Sequence, residues 1–477
     1  MKLSMLLQGV DVTAVHADEN MEITGIAFDS RNVNPSDVFM AISGLTTDGN
    51  RFIPGAMEKG AVLVVTAKAP EQDVPYVLVA DDRLAMAQIA TNFYGHPAKK
   101  MCMIGVTGTN GKTSITLLLK HVLETVRGAK VGLIGTMESL IGDQPVHSVR
   151  TTPESPDLQA LFAQMASAGC EYLVMEVSSH ALALERVGGV HYDVAAFTNL
   201  TQDHLDFHKT MEEYGLAKAK LFARCDKAVA NIDDSWSTRM MEAASCPVLQ
   251  TSVKGQADLH ATDIALYSDK IIYTAVYGEE TARVEVPIPG RFTVYNTLTV
   301  LGIALQLGIS LEDAAKALKT AKGVKGRIEV VPTPGKEYTL IIDYAHSHDS
   351  LENILVSVKD FCKGRLIAVF GSSGGRDPGK RPLMGEVGAR VADIAVITTD
   401  NARWEDPRAV IDEMLAGIPD QSNCVVIVDR TEAIHYAMDI AEKDDIIVLA
   451  GRGHELYQES MGVKVPMDER KIVAEYL

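Results

Sequence analysis

Cysteine is scarce in this sequence, and what there is shows no pattern. The six cysteines stand at 102, 170, 225, 246, 362 and 424. They form no C-x-x-C pair and no metal-type spacing, which argues against a disulfide framework and a zinc site and for reduced thiols in the cytoplasm. Long apolar runs are missing too. Nothing approaches the ~20 residues that cross a bilayer, so no membrane insertion is expected. The N-terminal MKLSMLLQGVDV has one lysine and an apolar patch that ends at Gln8 without a cleavage-like site, so no secretory leader is expected either. Lysine and arginine nowhere form a block, and the net charge is −18. A polyanion-binding chain would show a basic stripe, so nucleic acid is not an expected partner. A phosphate-bearing ligand must then be held locally, by backbone N–H groups, a few placed cations and metal ions. Internal repeats and low-complexity segments are also absent.

What is present is a strand-and-helix alternation. A chain of 477 residues suggests about three domains at roughly 150 residues each. Short apolar strands (ITGIAFDS, DVFMAIS, AVLVVTA, YVLVA) fill the first stretch, up to a Gly/Pro/Lys cluster, GHPAKK (95–100), that reads as a linker. MIGVTG then predicts a strand. TSITLLLKHVLETV predicts a helix with Ile115, Leu118, Leu119, Val122 and Val126 on one face. AKVGLIG, EYLVMEVSS and VAAFTNL read as further buried strands of a parallel sheet. After GVKGR (323–327) a second series begins: YTLIIDYA, RLIAVFGS, IAVITTD, CVVIVD and DIIVLAG. The expected fold is α/β in three domains: 1–98, 99–325 with a P-loop ATPase-like parallel sheet, and 326–477 with a Rossmann-like doubly wound sheet.

Ligands bind at the carboxyl ends of strands in such sheets. Here those ends read TGTNGKT, EVSSH, NLTQDHLD, DYAHSHD, GSSGGRD, TDNAR and AGRGHE, and most carry a histidine, an acid or an arginine. In the first, Gly108-Thr109-Asn110-Gly111-Lys112-Thr113-Ser114 departs from the strict GxxxxGK[ST] pattern, because Val106 stands where the first glycine belongs. The physical requirements remain. Small residues let N–H groups face phosphate oxygens at a helix N-terminus, Lys112 can reach terminal phosphates, and the Thr113 hydroxyl can ligate Mg²⁺. This is read as an ATP site. Mg²⁺ needs hard oxygen ligands, and Glu176 is the best-placed acid, with His204 and Asp206 next. The residues alone do not name the phosphoryl acceptor.

TGTNGKTS, EVSSHAL, FTNLTQDHLDFH, AKAKLF, PIPGRF, DYAHSHDSL and FGSSGGRDPGKRPLMGE occur in an order that closely resembles the Mur ligase family, over essentially the whole chain. DSRNVNPSDVFMAISG resembles the uridine-binding domain of members that add the third peptide residue. The resemblance implies an ATP-dependent amide ligase of peptidoglycan precursor synthesis acting on UDP-N-acetylmuramoyl-dipeptide, cytoplasmic and monomeric, working through an acyl phosphate. It implies that Thr113 and Glu176 ligate one Mg²⁺, and Glu176 and His204 a second. Lys218 matches the lysine that the family carbamylates to supply another metal ligand; the plain alternative is an exposed helix lysine. Asn296 would contact adenine, with Thr293 standing where the family often has a second asparagine. Arg327 and Asp343 would reach ATP. Ser30 fits the uridine site, and Thr151, Thr152, Ser178 and Arg186 fit the muramoyl-dipeptide. TTPES also reads as a helix start with threonine as cap and proline in the first turn.

For the incoming amino acid, members using meso-diaminopimelate carry DNPR, whose arginine pairs with the distal carboxylate. Here Asp400-Asn401-Ala402-Arg403 loses the proline and keeps the arginine. Lysine has no second carboxylate and would leave a buried arginine unpaired, so meso-diaminopimelate is expected over L-lysine. Arg376, Gly451 and Glu455 match the remaining contacts, Glu455 suiting the distal ammonium. His348 replaces a usual proline and is expected to be a solvent-facing loop histidine. Folylpolyglutamate synthetases share the phosphate loop but lack the DSR and DNxR segments. An inactive paralogue would have lost Lys112, Glu176, His204 or Lys218, and all four are present.

Overall fold

The structure is a computed structural model that describes residues 1–44, 47–146 and 150–477, with the Asp206 side chain outside the description. The chain forms two compact units. One comprises residues 1–252, 256–259 and 299–310, the other residues 253–255, 260–298 and 311–477.

The first unit opens with a five-stranded sheet. Its strands are β1 (Val12–His16), β2 (Gly25–Ala27), β3 (Asp37–Ala41), β4 (Leu63–Thr66) and β5 (Tyr76–Val79), ordered β1-β5-β4-β3-β2. Only β1 runs antiparallel to its neighbour. One face packs Val38, Met40, Val65 and Val77 against Met86 and Ile89 of the helix Asp82–Phe93. The apolar patch of the N-terminus is a short helix, Leu3–Leu6, with both leucines buried.

The larger sheet of this unit holds β6 (Cys102–Thr107), β7 (Val131–Ile134), β8 (Ser139–Ile141), β9 (Gln144–Val146), β10 (Tyr172–Glu176), β11 (Tyr192–Phe197), β12 (Cys225–Asn231) and β13 (Val248–Ser252). Their order is β13-β12-β11-β6-β10-β7-β8-β9. β6, β7 and β10 to β13 are parallel, and β8 and β9 form an antiparallel ribbon. From β6 the chain winds to β7 and β10 on one side, then to β11 on the other. The strand order reverses at β6, and such reversals open a ligand crevice. The helix Lys112–Arg127 covers the sheet with Ile115, Leu118, Leu119 and Val122 buried, as the periodicity predicts, and Val126 in the last turn half-buried.

In the second unit an antiparallel meander, β14 (Leu259–Leu266), β15 (Ile271–Tyr277) and β16 (Glu280–Val286), packs on the helix Leu311–Leu318. The last sheet contains β17 (Glu329–Val331), β18 (Thr339–Asp343), β19 (Leu366–Phe370), β20 (Ile394–Ile397), β21 (Cys424–Val426) and β22 (Ile446–Ala450), ordered β17-β18-β22-β19-β20-β21. All but β17 are parallel. The four central strands, β18, β22, β19 and β20, are buried between two apolar clusters, and the edge strands β17 and β21 are largely half-buried. A hairpin of β23 (Tyr457–Ser460) and β24 (Val463–Pro466) follows.

The α/β class and the named strands are therefore as expected. Three local readings change. GHPAKK is not a free linker: Pro97–Lys100 forms a 3₁₀ turn with Pro97 buried, packed against the helix Ser155–Ser167. The helix after TTPES begins at Ser155 with Glu154 at its cap position and Pro156 in its first turn, so neither threonine caps it. His348 is the first residue of the helix His348–Lys359, its ring beside Asp349 at 3.0 Å, because Ser347 and Ser350 form a capping box that starts the helix there.

Candidate active site

The phosphate loop links β6 to the helix Lys112–Arg127. Gly108 has φ +148°, and a Cβ there would lie 1.8 Å from the Thr198 hydroxyl oxygen, so no other residue fits. Gly111 has φ +88° and stands at the helix cap position. The segment after β11 holds the loop in place. The Thr198 hydroxyl donates to the Asn110 carbonyl (2.7 Å), the Asn110 N–H donates to Asn199 Oδ1 (3.0 Å), and the Thr109 N–H donates to the Asn199 carbonyl (2.8 Å). The Lys112 ammonium folds back on the carbonyls of Gly108 and Thr109, both at 2.8 Å. Ser114 is half-buried on the first helical turn.

Glu176 ends β10 only 1% exposed, and its carboxylate faces this loop. Oε1 accepts from the Thr113 hydroxyl (2.8 Å) and the Thr136 N–H (2.9 Å), and Oε2 accepts from the Thr136 hydroxyl (2.9 Å). Gly135 allows this approach, since a Cβ there would come within 2.6 Å of Oε1. Thr113 and Glu176 thus present hard oxygens to one point, a donor set that fits Mg²⁺. Among the described residues no group of three His, Cys, Asp or Glu side chains converges as a ready metal cage. Two further candidates from the sequence stand nearby. Lys218 is 1% exposed on the helix Met211–Ala219; its Nζ donates to the Gly108 carbonyl (2.8 Å) and lies 4.5 Å over the Tyr214 ring. Burial, with Lys112 close by, holds its ammonium well below the usual lysine range. His204 sits at φ +53° with its ring 6.2 Å from Tyr214 and 4.8 Å from His180, centroid to centroid. The Asp206 side chain lies outside the described residues.

The dipeptide candidates adjoin Glu176. The Thr152 hydroxyl bridges the Glu176 carbonyl (2.9 Å) and the Ser178 N–H (3.2 Å). Arg186 donates to the Thr152 carbonyl (3.2 Å) and pairs with Glu154 (2.9 Å). Thr151 meets Thr136 hydroxyl to hydroxyl at 3.0 Å, and Ser178 caps the helix Ser179–Ala183. Ser30 lies apart from these, in the 3₁₀ turn Ser30–Asn32 after β2. Thr136, Thr198, Asn199 and Tyr214 were not foreseen; each acts across the fold, and although Thr198 and Asn199 lie in FTNLTQDHLDFH, that motif does not reveal that they brace the phosphate loop. Tyr214, pushed up to about 12 by burial, keeps its proton while in contact with the Thr109 hydroxyl at 3.1 Å.

In the second unit Asp343, at the end of β18, is buried and accepts the N–H groups of Ile328 and Ala345, both at 2.8 Å. Burial pushes its carboxyl up despite the nearby Arg327, and the Arg327 guanidinium lies 5.4 Å from the Tyr344 ring centre. Asn296 is 7% exposed on the helix Arg291–Gln306. The Thr293 hydroxyl is engaged by the Pro289 carbonyl at 2.8 Å.

All six amino-acid candidates, Arg376, Asp400, Asn401, Arg403, Gly451 and Glu455, line one cavity of about 330 Å³, joined by Tyr344, His346, Ser373 and Lys380. Behind it, fully buried Arg452 donates to Asn401 Oδ1 (3.1 Å) and lies 3.3 Å from Asp400 Oδ1. The Glu459 N–H also donates to Asn401 Oδ1 (2.8 Å), which turns the amide nitrogen toward Glu455 Oε2 (2.9 Å). Arg403 has φ +53°, unusual for a residue that carries a Cβ. The hairpin holds it there: the Arg403 N–H donates to the Glu459 carbonyl (3.0 Å), the Met461 N–H donates to the Arg403 carbonyl, and Trp404 lies over Gly462. The proline missing at Ala402 is thus not what shapes this segment.

The family is now legible in both units, and the chain belongs to the Mur ligase family. The Mur ligase family catalytic domain matches residues 22–94, the Mur ligase middle domain residues 106–304, and the Mur ligase glutamate ligase domain residues 326–453. The chain is similar to UDP-N-acetylmuramoyl-L-alanyl-D-glutamate–2,6-diaminopimelate ligase of Caldanaerobacter subterraneus subsp. tengcongensis, at 46% identity over all of this chain and 99% of the relative. The ligase of the same name from Clostridium tetani is 42% identical over 100% and 99%. A solved structure of a UDP-N-acetylmuramoyl-L-alanyl-D-glutamate–2,6-diaminopimelate ligase superposes with TM-score 0.76 at 28% identity, covering 100% of this chain and 98% of that one.

Proposed function

We propose that this chain is an ATP-dependent ligase that joins meso-2,6-diaminopimelate to UDP-N-acetylmuramoyl-L-alanyl-D-glutamate, a cytoplasmic step of peptidoglycan synthesis. The observation that carries the choice of amino acid is the cavity where Arg376 and Arg403 stand with Glu455. Two guanidinium forks and a carboxylate suit a ligand with two carboxylates and a distal ammonium. L-lysine is the second reading, favoured only by Ala402.

In the reaction the D-Glu carboxylate attacks the terminal phosphorus of ATP, ADP leaves, and an acyl phosphate forms. The amine then attacks the acyl carbon, phosphate departs, and the ammonium gives up its proton. A carboxylate is a poor electrophile, and phosphorylation supplies the leaving group. The Gly108–Gly111 N–H groups cradle the phosphates, with Thr109, Asn110 and Ser114 beside them, at the positive end of a 16-residue helix. Lys112 turns from its two carbonyls to the terminal phosphate. Thr113, Glu176, His204 and Lys218 would hold Mg²⁺, which when bound would offset charge on the transferring phosphoryl. For Lys218 to serve, its neutral amine adds to carbon dioxide and loses a proton, giving a carbamate. The depressed basicity of this buried amine supports that step. Asn296, Arg327 and Asp343 are assigned to ATP contacts and Ser30, Thr151, Thr152, Ser178 and Arg186 to the UDP-sugar dipeptide. The boundaries 1–98, 99–325 and 326–477 and a monomeric state belong to the same reading.

The test is phosphate release from ATP and UDP-N-acetylmuramoyl-L-Ala-D-Glu with diaminopimelate, L-lysine or no amino acid. Release only with diaminopimelate is expected. Faster release with lysine would overturn the choice of amino acid, and no release with either would overturn the ligase.

A further inference from the structure

The amino-acid cavity contains a cation that the reading above leaves without a task. Lys380 begins the helix Lys380–Val391 and is half-buried at the cavity wall. Its Nζ donates to the His346 carbonyl at 3.0 Å. Among the described residues no carboxylate lies within ion-pair distance of it, although Arg381 next to it is paired with both Glu405 and Glu413 at 2.9 Å. Its charge is disfavoured by burial and by the nearby Arg376 and Arg381, with Asp400 and Asp377 offsetting only part. Asp400 is itself engaged by Arg452 at 3.3 Å and by the Ser373 hydroxyl at 3.0 Å.

The cavity cations come from two separate loops. Arg403 stands after β20, while Arg376 and Lys380 lie on the turn after β19, where the Asp377 carboxylate accepts from the Gly379 N–H at 2.9 Å. Two carboxylates on the ligand match two cationic loops. With Arg403 assigned to the distal carboxylate, the other falls to the β19 turn. We propose that Lys380, together with Arg376, binds the α-carboxylate beside the attacking amine of the incoming amino acid. Among the described residues the ammonium's hydrogen-bond partner is a neutral carbonyl, which leaves room for such an ion, and a ligand carboxylate there gives Lys380 a counter-ion.

This inference rests on the function proposed above, and the experiment separates the two. Steady-state kinetics of the full-length protein are compared for wild type, Lys380→Gln and Lys380→Arg, alongside their melting temperatures. Losing one charge-assisted hydrogen bond predicts an increase of about tenfold in KM for diaminopimelate in K380Q. kcat, the KM values for ATP and the nucleotide dipeptide, and the melting point should stay near wild type, and K380R should restore most of the affinity. The factor should be the same for L-lysine wherever wild type turns it over, since both amino acids carry an α-carboxylate. An unchanged KM in K380Q, or a loss confined to diaminopimelate, would overturn the assignment. A wild type inactive with both amino acids would instead overturn the ligase reading.

Discussion

Replacing Glu176 with glutamine separates the fold from the chemistry. The carboxylate is 1% exposed and accepts three hydrogen bonds, from the Thr113 hydroxyl, the Thr136 N–H and the Thr136 hydroxyl. A glutamine placed with its oxygen at the Oε1 position keeps the first two. Its NH₂ then meets the Thr136 hydroxyl, which can reverse and accept, because its other neighbour is the Thr151 hydroxyl. The structural cost is therefore the difference between charged and neutral hydrogen bonds, about 1–2 kcal/mol. At roughly 2 °C per kcal/mol for a unit of this size, the melting point should fall by only a few degrees. The chemical cost is larger. If Thr113 and Glu176 hold Mg²⁺ as proposed, removing the negative charge weakens that hold, and kcat for phosphate release should drop about 10²–10³-fold. The assay is coupled ADP release with all three substrates saturating, beside a thermal melt. E176Q that melts normally and keeps more than about a tenth of kcat would refute the placement of Glu176 at the phosphoryl-transfer site.

Three other outcomes follow from the geometry. Gly108→Ala should abolish turnover and lower the melting point, since its Cβ would lie 1.8 Å from the Thr198 hydroxyl at φ +148°; the double variant with Thr198→Gly should recover part of the stability but not the loop's strain. Arg403→Gln should lower kcat/KM for diaminopimelate about 10- to 100-fold and narrow its advantage over lysine, read by phosphate release with each. The Cys102 thiol is pushed up to about 12, chiefly by burial and also by Asp193. A raised thiol pKa means too little thiolate near pH 8, so native protein treated with iodoacetamide there should show Cys102 unlabelled by mass spectrometry, with labelling appearing as pH rises toward 12 or on unfolding.

Strand ends were the most legible part of this chain. Continuous apolar runs such as YLVME and IIVLA have no other home than a sheet buried on both faces, and the polar residue that stops each run marks a loop at the ligand edge. That is why Glu176 could be named from its strand end alone and why the loops that carry Asp343, Asp400 and Gly451 could be placed, while the roles proposed for those three came from the family resemblance. The meander β14 to β16 escaped notice for the opposite reason. β15 alternates buried and half-buried positions and ends in no chemically loaded loop, so nothing set it apart from connecting chain. Burial of charge was equally hidden: YGLAKAKLF reads as an ordinary surface helix, and only the packing of Tyr214 and the Gly108 loop makes Lys218 an interior residue. Thr136 and Thr198 act on partners 40 and 88 residues away, a distance that no local pattern spans.

The clamp on Arg403 has a practical consequence for anyone mapping selectivity by mutation. Its two hydrogen bonds to the hairpin run from main chain to main chain, and the hairpin's own Met461, Val463 and Val465 point into solvent. Alanine scanning of residues 457–466 would leave those bonds in place; among the described residues the Arg403 side chain meets this stretch through its 3.9 Å ion pair with Glu459, so Glu459 should respond and the solvent-facing positions should be silent. A one-residue insertion or deletion in the same stretch would shift the register and move the guanidinium. Choice of amino acid is thus encoded partly in hairpin length, a variable that substitution libraries never sample.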